Sequence, residues 1–248
     1  MRLGTGVALG NVAALYAALS SIPGLVAIWD PTLGRTMNGG NLATWTDTVS
    51  GFAPTQSNPA KQPLYNATDA AFGGRASVQF DGTDFLSVAN ANVYLDTAGN
   101  GYTILYAVKW TTLIENYQFI LSNFTAGVKG VEVGALLSTS RASNHVTVST
   151  GTDGAPQTTT AEIVAHRWTQ GSAAQINVNG VDQVVSSAPT TMGAGASAAT
   201  LTLGARSDGS LGAAARVGMI VCYNRGLTAA ELRAASRRMG RVVTISVA

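Results

Sequence analysis

The sequence predicts an all-β chain, a two-sheet antiparallel sandwich with one short helix near each end. Three observations predict it. About a dozen short alternating or apolar stretches are separated by Gly, Pro, Asn, Asp and Ser turn signals, as in a sandwich. "YTILYAVKW" (102–110) is apolar on both faces, the mark of a central strand covered on both sides. "AQINVNGVDQVV" (174–185) carries Asn179-Gly180, the preferred two-residue type I′ turn, with Ile176 and Val178 before it and Val181 after.

Composition admits this fold and narrows the rest. A chain of 248 residues with 46% hydrophobic content can bury the core of one sandwich domain. Charged residues make up only 11%, against a typical share of roughly 25%. That profile suits strands joined by tight turns, and equally a subunit that hides surface in an assembly. The net charge of +2 gives no reason to expect a nucleic-acid partner, and no aromatic residues interleave with the arginines near the C-terminus. Cys222 is the one cysteine, so an internal disulfide is excluded, and its place in "RVGMIVCY" reads as a buried thiol. One cysteine and two distant histidines, His145 and His166, exclude the usual zinc ligand set.

Taken in order, "MRLGTGVALGNVAALYAALSSIPG" is too short and too interrupted by Asn11 and glycines to cross a bilayer, so no membrane insertion is expected. Asn11 is predicted to cap a helix over 12–20, with Leu15, Leu19 and Ile22 as its apolar stripe and Pro23-Gly24 as its stop. Residues 1–24 therefore read as an anchoring segment ahead of a domain at 25–248, with Leu15 and Leu19 as contacts to partners. "LVAIWDP" (25–31) is the first strand. Over 73–88, Val78 and Phe80 alternate with polar residues, Asp81-Gly82 supplies turn chemistry, and the alternation resumes at Phe85. After the loop "TTLIENYQ", "FILSNF" is a return strand; further strands are expected at 129–138, 143–150 and 160–168, and a loop of small residues at 189–199. Strands at 200–206 and 215–223 then lead into the last helix. Thr228 and Glu231 have capping-box spacing, and Leu227 and Leu232 that of a hydrophobic staple. Arg237 and Arg238 are expected in the last turn, with Gly240 as a left-handed C-cap.

Several of these stretches carry a resemblance. "YNRGLTAAEL" follows a buried strand, and "GGNLATWTDTVSGFAPTQSNPAKQPLYN" (39–66) holds Trp45, Asp47, Ser50, Gly51, Gln62, Pro63 and Tyr65 in a W-x-D-x-S-G…Q-P-x-Y pattern. "GGRASVQFDGTDFLSV" (73–88) adds Phe80, Asp81, Gly82, Asp84 and Leu86 as F-D-G-x-D-x-L, and a V-N-G hairpin follows. In this order, over roughly 25–240, the chain resembles the laminin-G-like, concanavalin-A-like lectin and glucanase jelly-roll family. The resemblance implies a jelly roll whose terminal helix plugs one end. It does not fix function, because that fold hosts glycosidases, lectins and inert modules.

Chemistry has to come from the residues. Glycosidases of the family carry E-x-D-x-E on one strand, and retaining cleavage needs two carboxylates about 5 Å apart. The four glutamates here, Glu115, Glu132, Glu162 and Glu231, each stand more than four residues from any other acid. There is no G-x-S-x-G elbow, and the two histidines read as half-exposed strand residues, so no enzyme is expected. No cofactor is implied. Calcium, which some relatives hold through rim aspartates, would draw on Asp81, Asp84 and Asp208; six or more oxygens are needed, and the Asp81/Asp84 pair reads more simply as a turn bonding its own backbone. Sugar binding needs aromatic faces beside amides or carboxylates. Trp110, Asn116 and Tyr117 are the candidates, against the reading that Trp110 caps the core and Tyr117 is an ordinary loop residue. Arg233 and Arg237 read as a solvated helix face or as a docking surface for an acidic partner. The expectation is a non-enzymatic structural subunit of a phage or phage-like particle (decoration, head-fibre or tail-tip protein). Its place is the virion, and its partners are other virion proteins, further copies of itself and a cell-surface glycan. The alternatives are a secreted bacterial carbohydrate-binding module and a glycoside hydrolase.

Overall fold

The strand at 102–110 is buried at every position except Lys109, and this organises the layers. The computed structural model describes residues 9–89, 101–112, 117–123, 131–136, 140–145, 150–154, 159–169, 171–183 and 200–248. In chain order these form helix α1 (Leu9–Ser20) and strands β1 (Leu25–Trp29), β2 (Arg35–Asn38), β3 (Asn41–Trp45), β4 (Leu64–Asp69), β5 (Arg75–Asp81), β6 (Leu86–Val88) and β7 (Tyr102–Trp110). There follow β8 (Gln118–Ser122), β9 (Val131–Leu136), β10 (Ser140–His145), β11 (Thr150–Gly154), β12 (Glu162–Trp168), β13 (Gln175–Val178) and β14 (Val181–Asp182). Strands β15 (Leu201–Leu203) and β16 (Ala214–Tyr223) precede helix α2 (Ala229–Val243).

Among the described residues there are two antiparallel sheets. The larger runs β14-β13-β12-β7-β16-β5-β4-β3-β2, with β1 also paired to β16; the smaller runs β11-β10-β9-β8-β15-β6. Alternation along β7 sends Ile104, Tyr106 and Val108 towards the smaller sheet, where they meet Ile120, Val131, Val133 and Leu203. Leu105 and Ala107 point the other way, with Ile163, Ala165, Met219, Val221 and Tyr223, and this second apolar face is covered by the helices. A bulge between Val217 and Met219 sets the register of β16, so that Ala215, Val217, Ile220 and Cys222 face the sandwich interior while Met219, Val221 and Tyr223 face the helices. The all-β sandwich with two short helices is the fold the sequence predicts.

Details differ. Helix α2 covers the outer face of the larger sheet rather than plugging an end, because Leu227, Leu232, Ala235, Met239 and Val243 pack on that second face. Its capping box is complete: Thr228 Oγ1 accepts from the Glu231 N–H at 3.3 Å, and Glu231 Oε2 accepts from the Thr228 N–H at 2.9 Å. Two hydrogen bonds from Arg225 and those from Thr228 draw the Glu231 carboxyl down to about 2. The helix runs past Gly240 to Val243, and Thr244 (φ 57°) is the left-handed cap. Gly240 is instead a point of close approach, since an added Cβ would lie 2.5 Å from the Ile245 carbonyl and 2.7 Å from Val247.

Asn11 lies within helix α1 (Leu9–Ser20) rather than ahead of it. The helix packs against α2 and the sheet, while residues 1–8 of the expected anchoring segment lie outside the described residues. Leu15, Leu19 and Ile22 are buried in the second core against α2 and the sheet, so Leu15 and Leu19 are spent within this chain. Tyr16 donates to Asp30 Oδ2 at 3.0 Å, an oxygen that also receives Arg75 at 2.8 Å. Burial, and then the Asp30 charge, push the Tyr16 hydroxyl far above its ordinary value. Arg238 donates to the Ala18 carbonyl and Tyr223 Oη to the Leu19 carbonyl at 3.4 Å. The expected strand at 143–150 is two strands, β10 and β11, and β2 to β4 were not expected as strands at all. Asn179 (φ 50°) and Gly180 (φ 87°) make the positive-φ pair a type I′ turn requires.

Two stability measurements follow. Thr228→Ala should cost about 1 kcal/mol in urea unfolding, the usual loss for a cap hydroxyl. Leu19→Ala should cost about 2–5 kcal/mol, as for a leucine lost from a packed core; an unchanged midpoint would mean that α1 folds apart from the sandwich.

Candidate functional site

One end of the sandwich gathers Trp110, Tyr117, Asp81, Asp84 and Asp208, half of the candidate site residues of the sequence. Asp81, at the end of β5, pairs with Ala214 at the start of β16, and Trp110, at the end of β7, pairs with Ala215. Gln118, opening β8, accepts from the Ala214 N–H at 2.8 Å through Oε1, and the Phe119 N–H donates to the Leu211 carbonyl at 3.2 Å. The 206–212 loop therefore lies between the Asp81 turn and β8. At Gly209 an added Cβ would stand 3.1 Å from the Phe85 ring, and at Gly212 it would run into the Gly82 carbonyl.

The rim carries aromatic and charged groups in turn. Half-buried Tyr117 stacks on Phe119 with ring centroids 5.8 Å apart, and the Arg206 guanidinium sits 5.9 Å from the Phe119 centroid. Arg206 is held from beneath by the fully buried Glu132, with Nε–Oε1 at 2.8 Å and Nη2–Oε2 at 3.4 Å. That hydrogen bonding raises the guanidinium above its ordinary value despite partial burial. On the far side of the loop, Lys61 Nζ lies 5.5 Å over the half-buried Phe85 ring.

The three aspartates behave differently. Asp208 accepts from the Ser210 hydroxyl and from its N–H at 2.9 Å, which holds its carboxyl below the usual range. Burial works to raise Asp81, but hydrogen bonds from the Thr83 N–H and hydroxyl and from the Asp84 N–H outweigh it and keep this carboxyl low. Asp84 is pushed up to about 6, by burial first and then by the Asp81 charge. Calcium does not fit these groups. The Oδ1 atoms of Asp81 and Asp208 already face hydrogen-bond donors, and among the described residues no three His, Cys, Asp or Glu side chains group as metal ligands would.

Of the predicted sugar contacts, Tyr117 is on the rim, Asn116 lies outside the described residues, and Trp110 is not available. Its ring is 1% exposed in the main core beneath the rim, so it closes the core rather than offering a face to a ligand. Phe85 and Arg206 belong to the rim and were missed, although each adjoins a turn signal, D-G-T-D before Phe85 and S-D-G-S after Arg206. Arg233 and Arg237 lie exposed on α2, away from the rim strands. The motif residues of the opening stretch are structural. Asp47 accepts from the N–H groups of Val49, Ser50 and Phe52, and the Trp45 indole donates to the Asp30 carbonyl at 3.1 Å. His166 is buried, not half-exposed, with Nε2 2.9 Å from Tyr106 Oη. The Cys222 thiol is buried, and burial raises it far above its ordinary value.

No protein-family model and no curated protein matches the chain. Solved structures do. The chain is similar to Trypanosoma rangeli sialidase in complex with sialic acid (15% identity, TM-score 0.63), covering 94% of this chain and 38% of that one. It is similar to domain 4 of AbnA, a GH43 extracellular arabinanase from Geobacillus stearothermophilus, in complex with arabinotriose (15% identity, TM-score 0.59), covering 87% of this chain and 98% of that one. The binding domain of botulinum neurotoxin DC in complex with rat synaptotagmin II is a third (12% identity, TM-score 0.55), covering 87% of this chain and 52% of that one. What is shared is the β-sandwich fold. The chain spans about two-fifths of the sialidase chain but nearly all of the arabinanase domain.

The raised Asp84 carboxyl gives a pH test. A carboxyl that binds its proton more tightly when folded stabilises the fold at low pH, and that contribution is lost as pH rises from the unfolded value of 3.8 towards about 6. Asp84→Asn should therefore stabilise the protein by about 1–2 kcal/mol at neutral pH, with no gain below the unfolded value, read from urea midpoints across that range.

Proposed function

We propose that this chain is a non-catalytic glycan-recognition module whose ligand sits on the rim formed by the Asp81–Phe85 turn, the 206–212 loop and Tyr117. The observation that carries this is the convergence of Tyr117 before β8, Phe85 before β6, and Arg206 and Asp208 on the loop between β15 and β16. Aromatic rings take the apolar face of a sugar, while a guanidinium and a carboxylate take its hydroxyls. Rigid strands beneath position these groups, the arrangement in which loops on a scaffold bind ligands. The arabinanase domain, similar over nearly its whole length, is described in complex with arabinotriose, and the botulinum neurotoxin DC binding domain also in complex with SialylT.

Binding without cleavage is favoured by the state of the three glutamates among the described residues; Glu115 lies outside them. Glu132 is locked to Arg206, Glu231 caps α2, and Glu162 is buried in β12. Each stands on a different element, not in the close pair that retaining cleavage requires. A module of this kind works where surface glycans are met, on a virion or as a secreted protein. With Leu15 and Leu19 used within this chain, a particle subunit would be held by another surface.

A glycan array probed with the intact chain tests the reading. Tyr117→Ala and Asp208→Asn should each weaken the strongest array signal by about tenfold, roughly 1.4 kcal/mol, at an unchanged melting temperature. Retention of full binding by both variants would remove the rim as the site, and a blank array with the wild-type chain would remove the function.

A further inference from the structure

Helix α2 carries a second feature, independent of the rim. Arg233, Arg237 and Arg241 recur every fourth residue and are all exposed, so they form one stripe along the helix. Arg233 and Arg241 make no hydrogen bond or ion pair with the described residues, and Arg237 gives only Nε, to the Ala248 carbonyl at 3.0 Å. Glu231, the one acid on the helix, is taken up by Arg225 and the cap. Beside the stripe runs a groove of about 560 Å³ between α2 and residues 244–248, bounded by Arg237, Arg241, Thr244, Ile245, Ser246 and Val247. Among the described residues, no acidic side chain lines it. Ile245 and Val247 are half-buried, so each adds an apolar surface to the floor.

We infer that this groove docks an extended acidic peptide of a partner protein, with carboxylates at alternate positions and small apolar residues between them. The spacing supports it. Arginines four apart on a helix are separated by about 6 Å along the axis, at about 1.5 Å per residue, and alternate side chains of an extended strand by about 6.6–6.8 Å. The long arginine side chains absorb the difference, and their planar forks suit carboxylates. The other face of the peptide meets Ile245 and Val247. A polysaccharide or nucleic acid of like charge would match the arginines but would leave the apolar floor without a counterpart.

The test uses the intact chain and two labelled peptides of equal composition, one alternating Glu and Val, the other with its glutamates in a block, read by fluorescence anisotropy. The alternating peptide should bind at least about tenfold more tightly, and added salt should weaken it. Arg237→Gln/Arg241→Gln should lose that binding by tenfold or more while keeping its melting temperature and its glycan-array signal. Equal binding of the two peptides, displacement by polygalacturonate or single-stranded DNA at matched charge, full binding by the double variant, or no binding at all would each overturn the inference.

Discussion

The pairing of β7 with β16 is the constraint from which the remaining architecture follows. Both strands are apolar on both faces, so a single sheet packed on one partner would leave half of that surface wet. The smaller sheet covers one face through Ile120, Val131, Val133 and Leu203, and the two helices cover the other. This explains why α1 packs against α2 and the sheet. Without Leu15, Leu19 and Ile22, part of the face made by Ile28, Val221 and Tyr223 would lose its cover. Three polar ties then fix the helix: Tyr16 to Asp30, Arg238 to Ala18, and Tyr223 to Leu19. Asp30 is fully buried, and such a carboxylate is tolerable only because Arg75, Tyr16 and Thr32 all donate to it.

The same pairing decides where a ligand could sit. Helices occupy the outer face over β7, β12 and the C-terminal half of β16, and Trp110 closes the core at the end of β7. Above Trp110 the strand ends give way to turns, and there polar groups bond one another instead of water-excluded neighbours. The division between Trp110 and Tyr117 is therefore physical: one aromatic ring seals the interior, the other stacks half-exposed on Phe119 at its margin.

What could be read in advance tracks how local each cause is. The span of β7, the turn at Asn179-Gly180 and the Thr228–Glu231 capping box were legible because their signals lie within a few adjacent residues. The strands β2, β3 and β4 were not. Every residue of β2 is exposed, so it has no buried face to set a period, and bulges interrupt the β2–β3 and β4–β5 pairings. Gly240 misled for a related reason. A glycine near a helix end reads as a cap, whereas here the tail at Ile245 and Val247 crosses it, a contact set by tertiary packing. The rim was half legible: Tyr117 and the aspartates stood out by type, but nothing local could reveal that Arg206 reaches Glu132, 74 residues away in sequence.

Charge allocation draws these threads together. With only 11% charged residues, most described cations are already engaged within the fold. Arg75 holds Asp30, Arg167 meets Asp182, Arg206 holds Glu132, Arg216 meets Asp69, and Arg225 holds Glu231. Each of these pairs joins separate elements or locks a cap, and in three of them, those of Asp30, Asp69 and Glu132, the carboxylate is buried. Arg233, Arg237 and Arg241 break that pattern. They stand on one helix face and add almost nothing to the packing below, since that work falls to Leu232, Ala235, Met239 and Val243. Helix-dipole complement explains a basic residue in the last turn, where Arg241 stands. It does not reach Arg233, which stands in the second turn, beyond the range of either helix end. The stripe borders, at its C-terminal end, a groove with no acidic residue among its described lining, and this is the surface on which the proposed acidic peptide would lie.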